Sequence, residues 1–306
     1  MEPIIKVEGL KKYFGEVKAV DDISFQVEKG ELFGFLGVNG AGKSTTINML
    51  CTVFKPTAGQ VEVCGLKVGK EDEEIRRRIG VVYQNNCLDD RLTVKENLFV
   101  RGALYEKNSR KLSENIAKIC EILELESVYT RRFAKLSGGQ KRRCEIARAL
   151  VNTPEIMFLD EPTTGLDPAT RKAVWRSLTR LREEENMTVF LTTHYMEEAA
   201  RASHIAVLDS GKLMEYGTPF SLKESYAKDQ LKLLPKGGNV WKLEEKLQEL
   251  EVAYKPKEEY LVASVPDSLS ALPILDGVRE LIGGFEMVQG SMDDVFLNVT
   301  GKKLEA

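Results

Sequence analysis

The segment that decides the fold reads Gly37-Val38-Asn39-Gly40-Ala41-Gly42-Lys43-Ser44-Thr45. It fits G-x-x-x-x-G-K-[ST], the pattern of a loop that wraps the phosphates of a nucleotide. Its glycines permit close backbone approach, so successive N–H groups can turn toward an anion, and Lys43 adds a cation. Ser44 supplies the hydroxyl that such loops place on Mg²⁺. The helix that follows points the positive end of its dipole at the same anion.

The segments on either side of this loop support that interpretation. Before it, Glu31–Leu36 is a short apolar run, typical of a strand buried inside a parallel sheet. After it, Thr45–Phe54 carries apolar residues at helical spacing, and Pro56 prevents the helix from continuing. Strand, loop and helix in this order form the context that a phosphate-binding loop needs, and they disfavour a simple glycine-rich turn.

The whole chain has the composition of a globular protein. Its 306 residues suffice for about two domains, with 42% hydrophobic and 30% charged residues and a formal net charge of −3. This charge provides no general basic field for nucleic acid. No apolar run approaches the roughly 18 residues that a membrane-spanning helix needs, and Met1-Glu2-Pro3 does not begin a secretory signal. We therefore expect a chain that is neither secreted nor membrane-spanning.

The cysteines indicate a reducing compartment. They are odd in number, irregularly spaced and without a C-x-x-C pair, so we interpret them as reduced and mostly buried thiols. They are Cys51, Cys64, Cys87, Cys120 and Cys144. Neither His194 nor His204 lies at metal-site spacing from a cysteine, and we expect no transition metal. His204 is interpreted as structural.

The opening of the chain predicts an antiparallel sheet beside the loop. Ile4–Leu10, Val17–Val20 and Ile23–Val27 are strand-like, and Lys11 to Gly15 is predicted as a turn. One aromatic ring here, Phe14 or Tyr13, could stack on an adenine. From this segment alone, a core position for either ring is equally well supported.

Polar residues follow three further apolar segments. Gln84 ends the segment 79–84, Asp160 and Glu161 follow the segment 156–159, and His194 follows the segment 188–193. Ligands of α/β sheets gather at the carboxyl ends of parallel strands, so we expect these side chains near the phosphate-binding loop. One carboxylate suits Mg²⁺ and the other suits water activation, and Gln84 could touch either. Taken singly, each residue could also be an ordinary surface residue.

A second anion-binding feature lies further along. The pattern turns helical from about 92 to 132, and the stretch Leu136-Ser137-Gly138-Gly139-Gln140 then precedes a helix ending at Leu150. Ser137 is a plausible N-cap, and the glycines leave the first N–H groups open to an anion. Two such sites with one phosphate-binding loop indicate dimerisation. We interpret Arg143 and Arg148 as a solvated helix face.

These motifs, in this order, closely resemble the ATP-binding subunit of an ABC transporter. The resemblance covers about Ile4 to Pro219 and includes the loop, Gln84, L-S-G-G-Q, I-M-F-L-D-E, G-L-D and His194. L-S-G-G-Q together with the loop is very specific. The resemblance implies an α/β fold with a P-loop NTPase core of the ABC ATPase type, an antiparallel β subdomain and a helical insertion at about 88–150. Val38, where many relatives carry proline, and Cys144, at a usually aliphatic position, depart from the pattern without removing a ligand.

The resemblance also implies roles for individual residues. The segment Gly37–Thr45 would hold the phosphates of ATP, and Phe14 would stack on its adenine. Mg²⁺ would be bound by Ser44, Gln84 and Asp160. The catalytic group would comprise Glu161, His194, Gln84 and Lys43, with Glu161 acting on water and His194 contacting the γ-phosphate.

The remaining motif residues would act across a dimer. Ser137, Gly138, Gly139 and Gln140 would close over ATP bound by the opposite protomer, and Asp167 would cross the same interface. Two ATP molecules would then be sandwiched in a head-to-tail homodimer or an equivalent heterodimer.

From about Ser221, the order β-α-β-β-α-β predicts a small α+β domain of ferredoxin-like type, so we place an ATPase domain at 1–220 and an accessory or regulatory domain at 221–306. The ending 291–301 resembles the tail of drug-resistance and multidrug-export ABC ATPases, or it is simply a terminal amphipathic helix. We hypothesise a cytosolic, membrane-peripheral subunit that powers export of a drug, lipid or similar compound through a separate permease. An importer subunit and a soluble ABC-type ATPase acting on nucleic acid or ribosomes are the alternatives.

Overall fold

The computed structural model describes residues 3–302. The chain divides into two compact units, one ending at Thr218 and the other beginning at Pro219. Each unit has its own hydrophobic core. Among residues 3–302, no helix has the length and apolar character needed to cross a membrane.

The first unit contains mixed α and β structure. Its strands are β1 (Ile5–Phe14), β2 (Val17–Val27), β3 (Leu32–Leu36), β4 (Ala58–Val63), β5 (Leu66–Lys67), β6 (Ile79–Val82), β7 (Ile156–Asp160), β8 (Thr188–Thr193), β9 (His204–Asp209) and β10 (Lys212–Gly217). Its helices are α1 (Lys43–Leu50), α2 (Asp72–Arg78), α3 (Val94–Gly102), α4 (Ser109–Ile122), α5 (Gly138–Leu150), α6 (Pro168–Glu185) and α7 (Met196–Ala199).

The central sheet has the strand order β10-β9-β3-β8-β7-β6. All of its neighbouring strands are parallel except the β9–β10 hairpin. Every residue of β3, β7 and β8 is buried, as expected for strands covered on both faces. The carboxyl ends of β3, β6, β7 and β8 therefore meet at one edge, where the sequence analysis expected the polar residues.

A cluster of phenylalanine rings packs beside this sheet. The rings of Phe33 and Phe190 stack with centroids 5.1 Å apart, and Phe25 lies 5.5 Å from Phe33. Phe35 and Phe158 complete the cluster around Phe190. Burying an aromatic side chain of this size stabilises a fold by about 1.5–3 kcal/mol.

The antiparallel sheet has the order β2-β1-β4-β5 and differs locally from the prediction. The predicted turn at Lys11 to Gly15 is wrong, because β1 continues through Phe14 and the chain reverses just after it. The two predicted strands of residues 17–27 form the single strand β2, with Asp22 in a left-handed conformation where the pairing register shifts. An irregularity of this kind bends a strand without ending it.

Helix α1 is shorter than its apolar periodicity predicted. It ends at Leu50, four residues before Phe54. Thr52 takes a positive φ of 62°, and the N–H groups of Val53 and Phe54 both donate to the carbonyl of Asn48. The chain thus turns away from the helix axis before Pro56 could act as the stop.

The second unit begins with α8 (Pro219–Tyr226) and ends with α11 (Met292–Thr300). Between them lie β11 (Asp229–Pro235), α9 (Val240–Glu249), β12 (Tyr254–Pro256), β13 (Leu261–Val265), α10 (Ala271–Val278) and β14 (Ile282–Val288). The chain order β11-α9-β12-β13-α10-β14 confirms the predicted β-α-β-β-α-β arrangement. The four strands form a fully antiparallel sheet in the order β12-β13-β11-β14. Leu231, Leu243 and Leu261 lie in the core between this sheet and its helices.

Candidate active site

The phosphate-binding loop is shaped by two glycines that tolerate no side chain. A Cβ atom on Gly37 would lie 2.7 Å from the carbonyl oxygen of Leu208. Gly42 has a φ of +102°, and a Cβ there would lie 2.5 Å from the carbonyl oxygen of Ala19 on β2. Gly40, with a φ of +82°, would meet no atom within 4 Å. The protein therefore packs closely behind the loop, whereas the tip around Gly40 is open to a ligand.

Lys43 lies buried beneath the loop. Its Nζ atom donates to the carbonyl oxygens of Gly37 at 2.8 Å and Val38 at 3.2 Å. The same ammonium lies 3.2 Å from Oε1 of Glu161. One cation is therefore centred between the loop backbone and the strand-end carboxylate, which is the position needed to contact a terminal phosphate of a nucleotide held by the loop.

Hydroxyl groups connect α1, β7 and β8. Asp160 Oδ1 accepts a hydrogen bond from Ser44 Oγ at 3.2 Å and another from Thr192 Oγ1 at 2.6 Å. Thr192 Oγ1 in turn accepts from the backbone N–H of Glu161 at 3.0 Å. Ser44 and Asp160 thus present two adjacent oxygen ligands of the kind that Mg²⁺ prefers, and their chemistry fits that ion.

Glu161 occupies a strained backbone position. Its φ of 45° is left-handed, which costs a residue other than glycine about 1 kcal/mol or more. The second carboxylate oxygen lies 3.4 Å from Nδ1 of His194 and accepts from Thr164 Oγ1 at 3.2 Å. Burial alone would raise the pKa of Glu161, but Lys43 and His194 favour the carboxylate more strongly, so the net pKa lies below its ordinary value. Glu161 is therefore ionised at neutral pH.

His194 lies at the end of β8 with its imidazole against the ring of Tyr195. Its Nδ1 atom is buried and, among residues 3–302, makes no hydrogen bond of good geometry. This nitrogen lies 3.4 Å from Oε2 of Glu161, so the imidazole is held beside the carboxylate at the end of β7. Gln84 lies two residues beyond β6 and is exposed, and no hydrogen bond joins it to Ser44 or Asp160 in the described part of the chain.

The hairpin of β1 and β2 reaches the loop and carries the two aromatic candidates. The hydroxyl of Tyr13 donates to Asp21 at 2.6 Å, which ties this ring to β2. Phe14 is 46% exposed, with Lys12 Nζ 4.9 Å from its ring centroid and Phe54 at its edge. Of the two rings, Phe14 is the one with a face free for stacking.

The stretch from Ser137 to Gln140 begins α5. Ser137 caps the helix, and its capping box with Gln140 satisfies two backbone N–H groups. Gly139 is buried against Thr170 of α6, and a side chain at this position would collide with that threonine. Asp167 caps α6 by accepting from the N–H groups of Ala169 and Thr170. Close packing between α5 and α6 therefore explains one of the two glycines, and the other, Gly138, is exposed.

Comparison with known proteins identifies the family. Residues 20–164 match the family model described as ABC transporter. The Nod factor export ATP-binding protein I of Rhizobium sp. (strain N33) is 39% identical over 304 residues, which is 98% of this chain and 98% of that protein. The chain belongs to the ABC transporter family. As an ABC ATPase it binds and hydrolyses ATP.

Other relatives of this ABC ATPase include a second ATP-binding protein and solved ATP-binding cassettes. The daunorubicin/doxorubicin resistance ATP-binding protein DrrA of Streptomyces peucetius is 37% identical over 305 residues, covering 97% of this chain and 92% of that protein. The structure of cbiO1 from Clostridium perfringens, part of the ABC transporter complex cbiONQ, is 26% identical, with a TM-score of 0.68 over 72% of this chain and 91% of that chain. A dimeric post-hydrolysis structure of the ATP-binding cassette MJ0796 with ADP and Pi is 30% identical, with a TM-score of 0.63 over 70% of this chain and 98% of that chain.

The predicted solvated face of α5 is wrong. The side chains of Arg143 and Arg148 are only 17% and 16% exposed. Arg143 donates to the carbonyl of Leu123, and Arg148 donates to the carbonyl of Val81. Both cations bind backbone groups of other segments, because α5 packs among them instead of lying at the surface of the ABC ATPase.

Sequence reasoning missed two buried charged residues beside the site. Arg142 donates to three backbone carbonyls, and Glu198 of α7 accepts hydrogen bonds from Thr163, Trp175 and Thr193. Glu198 therefore joins the turn after Glu161 to the end of β8. The periodicity of a four-residue helix is too short to reveal such a residue, although an acid followed by two alanines is a weak sign of burial.

Proposed function

We propose that this chain is the ATP-hydrolysing subunit that powers export of a small, largely apolar compound through a separate membrane permease. The observation that carries the proposal is its alignment over at least 97% of its length, second unit included, with ATP-binding proteins named for Nod factor export and drug resistance. The chain would work at the cytoplasmic face of the membrane, where ATP is available.

The site geometry supports a division of labour in hydrolysis. Lys43 and the loop N–H groups would hold the phosphates, and Ser44 and Asp160 would hold Mg²⁺. The family resemblance adds Gln84 as a third ligand of the ion. The ion would neutralise charge on the phosphate oxygens. Glu161, ionised and held between Lys43 and His194, would orient the attacking water and accept its proton. His194 would contact the γ-phosphate through its imidazole, and Phe14 would stack on the adenine.

We further propose that each site is completed by a second copy or a related subunit. The capped start of α5 at Ser137–Gln140 would close over ATP held by the partner, and Asp167 would lie at the same interface. A similar cassette has been solved as a dimer, which supports this arrangement.

A docking surface for the permease is supported by exposed apolar side chains near Gln84. Val100, Leu104 and Tyr105 at the end of α3 are 59%, 72% and 53% exposed. Leu104 and Tyr105, together with Val53, border a groove that also contains Tyr83, next to Gln84. An apolar patch of this kind marks an interaction surface, and its position would connect the permease to the active site.

Association with a permease can be tested by purifying the tagged chain from detergent-solubilised membranes of the source cell. We expect a tagged full-length chain to retain an integral membrane protein with several spanning helices, and the double variant Leu104→Glu, Tyr105→Glu to lose it. Leu272→Glu, which changes an exposed residue of the second unit, is the matched control. Salt-sensitive nucleic-acid binding without a membrane partner would instead favour a soluble ATPase acting on nucleic acid or ribosomes.

The shared site can be tested by mixing two inactive variants. Lys43→Met disables the phosphate-binding loop but keeps the α5 start, whereas Ser137→Arg disables the α5 start but keeps the loop. Heterodimers of the two contain one complete site, so mixing should restore part of the activity. For the unmodified chain, specific activity should rise with protein concentration, and activity simply proportional to concentration would contradict the proposal.

A further inference from the structure

Three charged residues form a stripe on one face of α5. Arg142, Glu145 and Arg148 follow each other at intervals of three residues, which places them on the same side of the helix. Arg142 is 6% exposed and Glu145 is 1% exposed. Burying a charged group costs folding free energy unless the group has partners. The partners of these three side chains therefore indicate the role of the stripe.

The stripe holds both ends of the loop that contains Gln84. Before Gln84, Arg148 Nη2 donates to the carbonyl of Val81 at 2.6 Å, and Arg142 Nη1 donates to that of Tyr83 at 2.5 Å. After Gln84, Glu145 Oε1 accepts from the N–H groups of Cys87 at 2.6 Å and Leu88 at 2.9 Å.

Two members of the stripe, Glu145 and Arg148, are also joined to each other. Arg148 Nε donates to Glu145 Oε2 at 2.8 Å, so both carboxylate oxygens of Glu145 are engaged. The loop on either side of Gln84 is therefore attached to a single rigid helix by charge-assisted hydrogen bonds.

Arg142 also binds the backbone on both sides of Glu161. Its Nε atom donates to the carbonyl of Pro162 at 2.6 Å, and Nη2 donates to that of Asp160 at 3.1 Å. These carbonyls flank Glu161, whose left-handed backbone requires support from its surroundings. Burial lowers the pKa of Arg142 to about 10. The planar fork of arginine aims three separate nitrogens at the three carbonyls, and the single ammonium nitrogen of lysine cannot reproduce this spacing.

The stripe lies one turn into the helix that begins after Ser137. With a rise of about 1.5 Å per residue, Arg142 is about 7.5 Å along the axis from the cap, so any displacement of the cap carries the stripe with it. We propose that Arg142, Glu145 and Arg148 are positioning residues that couple the start of α5 to Gln84 and Glu161. This inference rests on the proposed closure of Ser137–Gln140 over the partner's ATP.

Coupling of this kind makes hydrolysis depend on α5 even when ATP binding does not. We expect Glu145→Ala, Arg142→Lys and Arg142→Met to lower kcat about tenfold to hundredfold and to leave KM for ATP within about threefold. Glu145→Gln keeps an oxygen that can accept from Cys87 and Leu88, so it should recover most of the activity. Arg143→Met is the control, because Arg143 contacts the segment at Leu123 and not the Gln84 loop.

Hydrogen exchange of the full-length chain tests the coupling directly. In an E161Q background, addition of ATP and Mg²⁺ should slow exchange both in residues 37–45 and in residues 83–90. In E145A/E161Q, the ATP-induced protection of 37–45 should persist while that of 83–90 is lost, and R143M/E161Q should keep both.

Three outcomes would overturn the inference. Unchanged ATP-induced protection of 83–90 in E145A/E161Q would show that the stripe transmits nothing to the loop. An equal fall of kcat in Arg143→Met and Arg142→Met would reduce the stripe to general helix stability. Absence of protection at 37–45 in E161Q itself would overturn the proposed ATP site, and the coupling with it.

Discussion

The Nζ atom of Lys43 lies 3.2 Å from Oε1 of Glu161, and both side chains are largely shielded from water. The cation of the phosphate-binding loop and the acid after β7 therefore form a direct ion pair. A phosphate oxygen that approaches Lys43 must share the ammonium with this carboxylate. The pair thus links affinity for the nucleotide to the group that acts on water.

Replacement of Glu161 by glutamine should separate these two properties. We expect E161Q to hydrolyse ATP at least about 100-fold more slowly, because an amide cannot accept the proton of the attacking water. ATP affinity should rise several-fold, because the neutral amide competes less for Lys43, and closed dimers should accumulate. Steady-state turnover, calorimetry and size-exclusion chromatography measure the three effects. Full turnover in E161Q would contradict the role assigned to Glu161. The control is E197Q, which changes an exposed acid of α7.

The same pair should make stability depend on pH in a defined window. The pKa of Glu161 is lowered from 4.5, because Lys43 and His194 outweigh the effect of burial. A carboxyl group with a depressed pKa stabilises the folded state above its unfolded pKa, and this contribution is lost as the pH falls through the folded value. We expect the difference in unfolding free energy between the parent chain and E161Q to be constant near neutral pH and to shrink as the pH falls through and below 4.5. A difference that grows on acidification would contradict the assigned ion pair.

That measurement needs a probe confined to the first unit. Trp175 is buried in the first unit, whereas Trp241 of the second unit is 61% exposed. In a W241F background, urea unfolding followed by tryptophan fluorescence reports Trp175 alone, so the two units are not averaged.

Truncation of Glu198 should destabilise the first unit. Its carboxylate accepts from Trp175 Nε1 at 3.0 Å and Thr193 Oγ1 at 2.8 Å, and from the hydroxyl of Thr163. Glu198→Ala leaves these buried donors without their acceptor, and we expect a loss of about 2–4 kcal/mol. Glu198→Gln should cost less, because one oxygen remains and hydroxyl groups can rotate. The exposed neighbour variant Glu197→Ala should change stability by less than about 0.5 kcal/mol, and equal effects at both positions would refute the assignment.

Alkylation should distinguish Cys87 from the other cysteines. Cys87 is exposed in the loop after Gln84, whereas Cys51, Cys120 and Cys144 are buried. Burial raises the pKa of Cys120 to about 11 and that of Cys144 to about 12, so the reactive thiolate is scarce at these positions. Cys64 is half-buried, and its pKa is likewise raised to about 12 by burial.

Iodoacetamide at mildly alkaline pH should therefore modify one cysteine of the native chain quickly, and mass spectrometry should locate it at Cys87. Cys87→Ser should remove the fast modification, and urea should expose the remaining thiols. Rapid native labelling of Cys144 would show that α5 is less firmly packed than the structure indicates.

The features that were predicted from sequence follow from local rules. The glycines and Lys43 determine strand, loop and helix within a single segment, and parallel strands bring their carboxyl ends to one edge. Asp160, Glu161 and His194 therefore meet near the loop as expected. Within the segment 92–132 that was predicted to be helical, Leu112 and Ile116 of α4 are buried at the spacing of one helix face.

The features that were missed depend on distant partners. Arg148 looks like a surface residue from its charge, yet its acceptor at Val81 lies 67 residues earlier. The end of α1 depends on a left-handed residue, Thr52, that apolar periodicity does not reveal. Helical spacing states which residues share a face, but it does not state whether that face meets water or the backbone of another segment.

The strand order of the central sheet has a consequence for protein synthesis. Strand β3, which carries the phosphate-binding loop, lies between β8 and β9, and both of these are made long after it. Gly37 itself packs against Leu208. Until the ribosome has released the chain through Asp209, β3 lacks its neighbour β9, and Gly37 lacks the carbonyl of Leu208 against which it packs. A nascent chain should therefore acquire affinity for ATP abruptly and late, so nucleotide cannot assist the earlier steps of its folding.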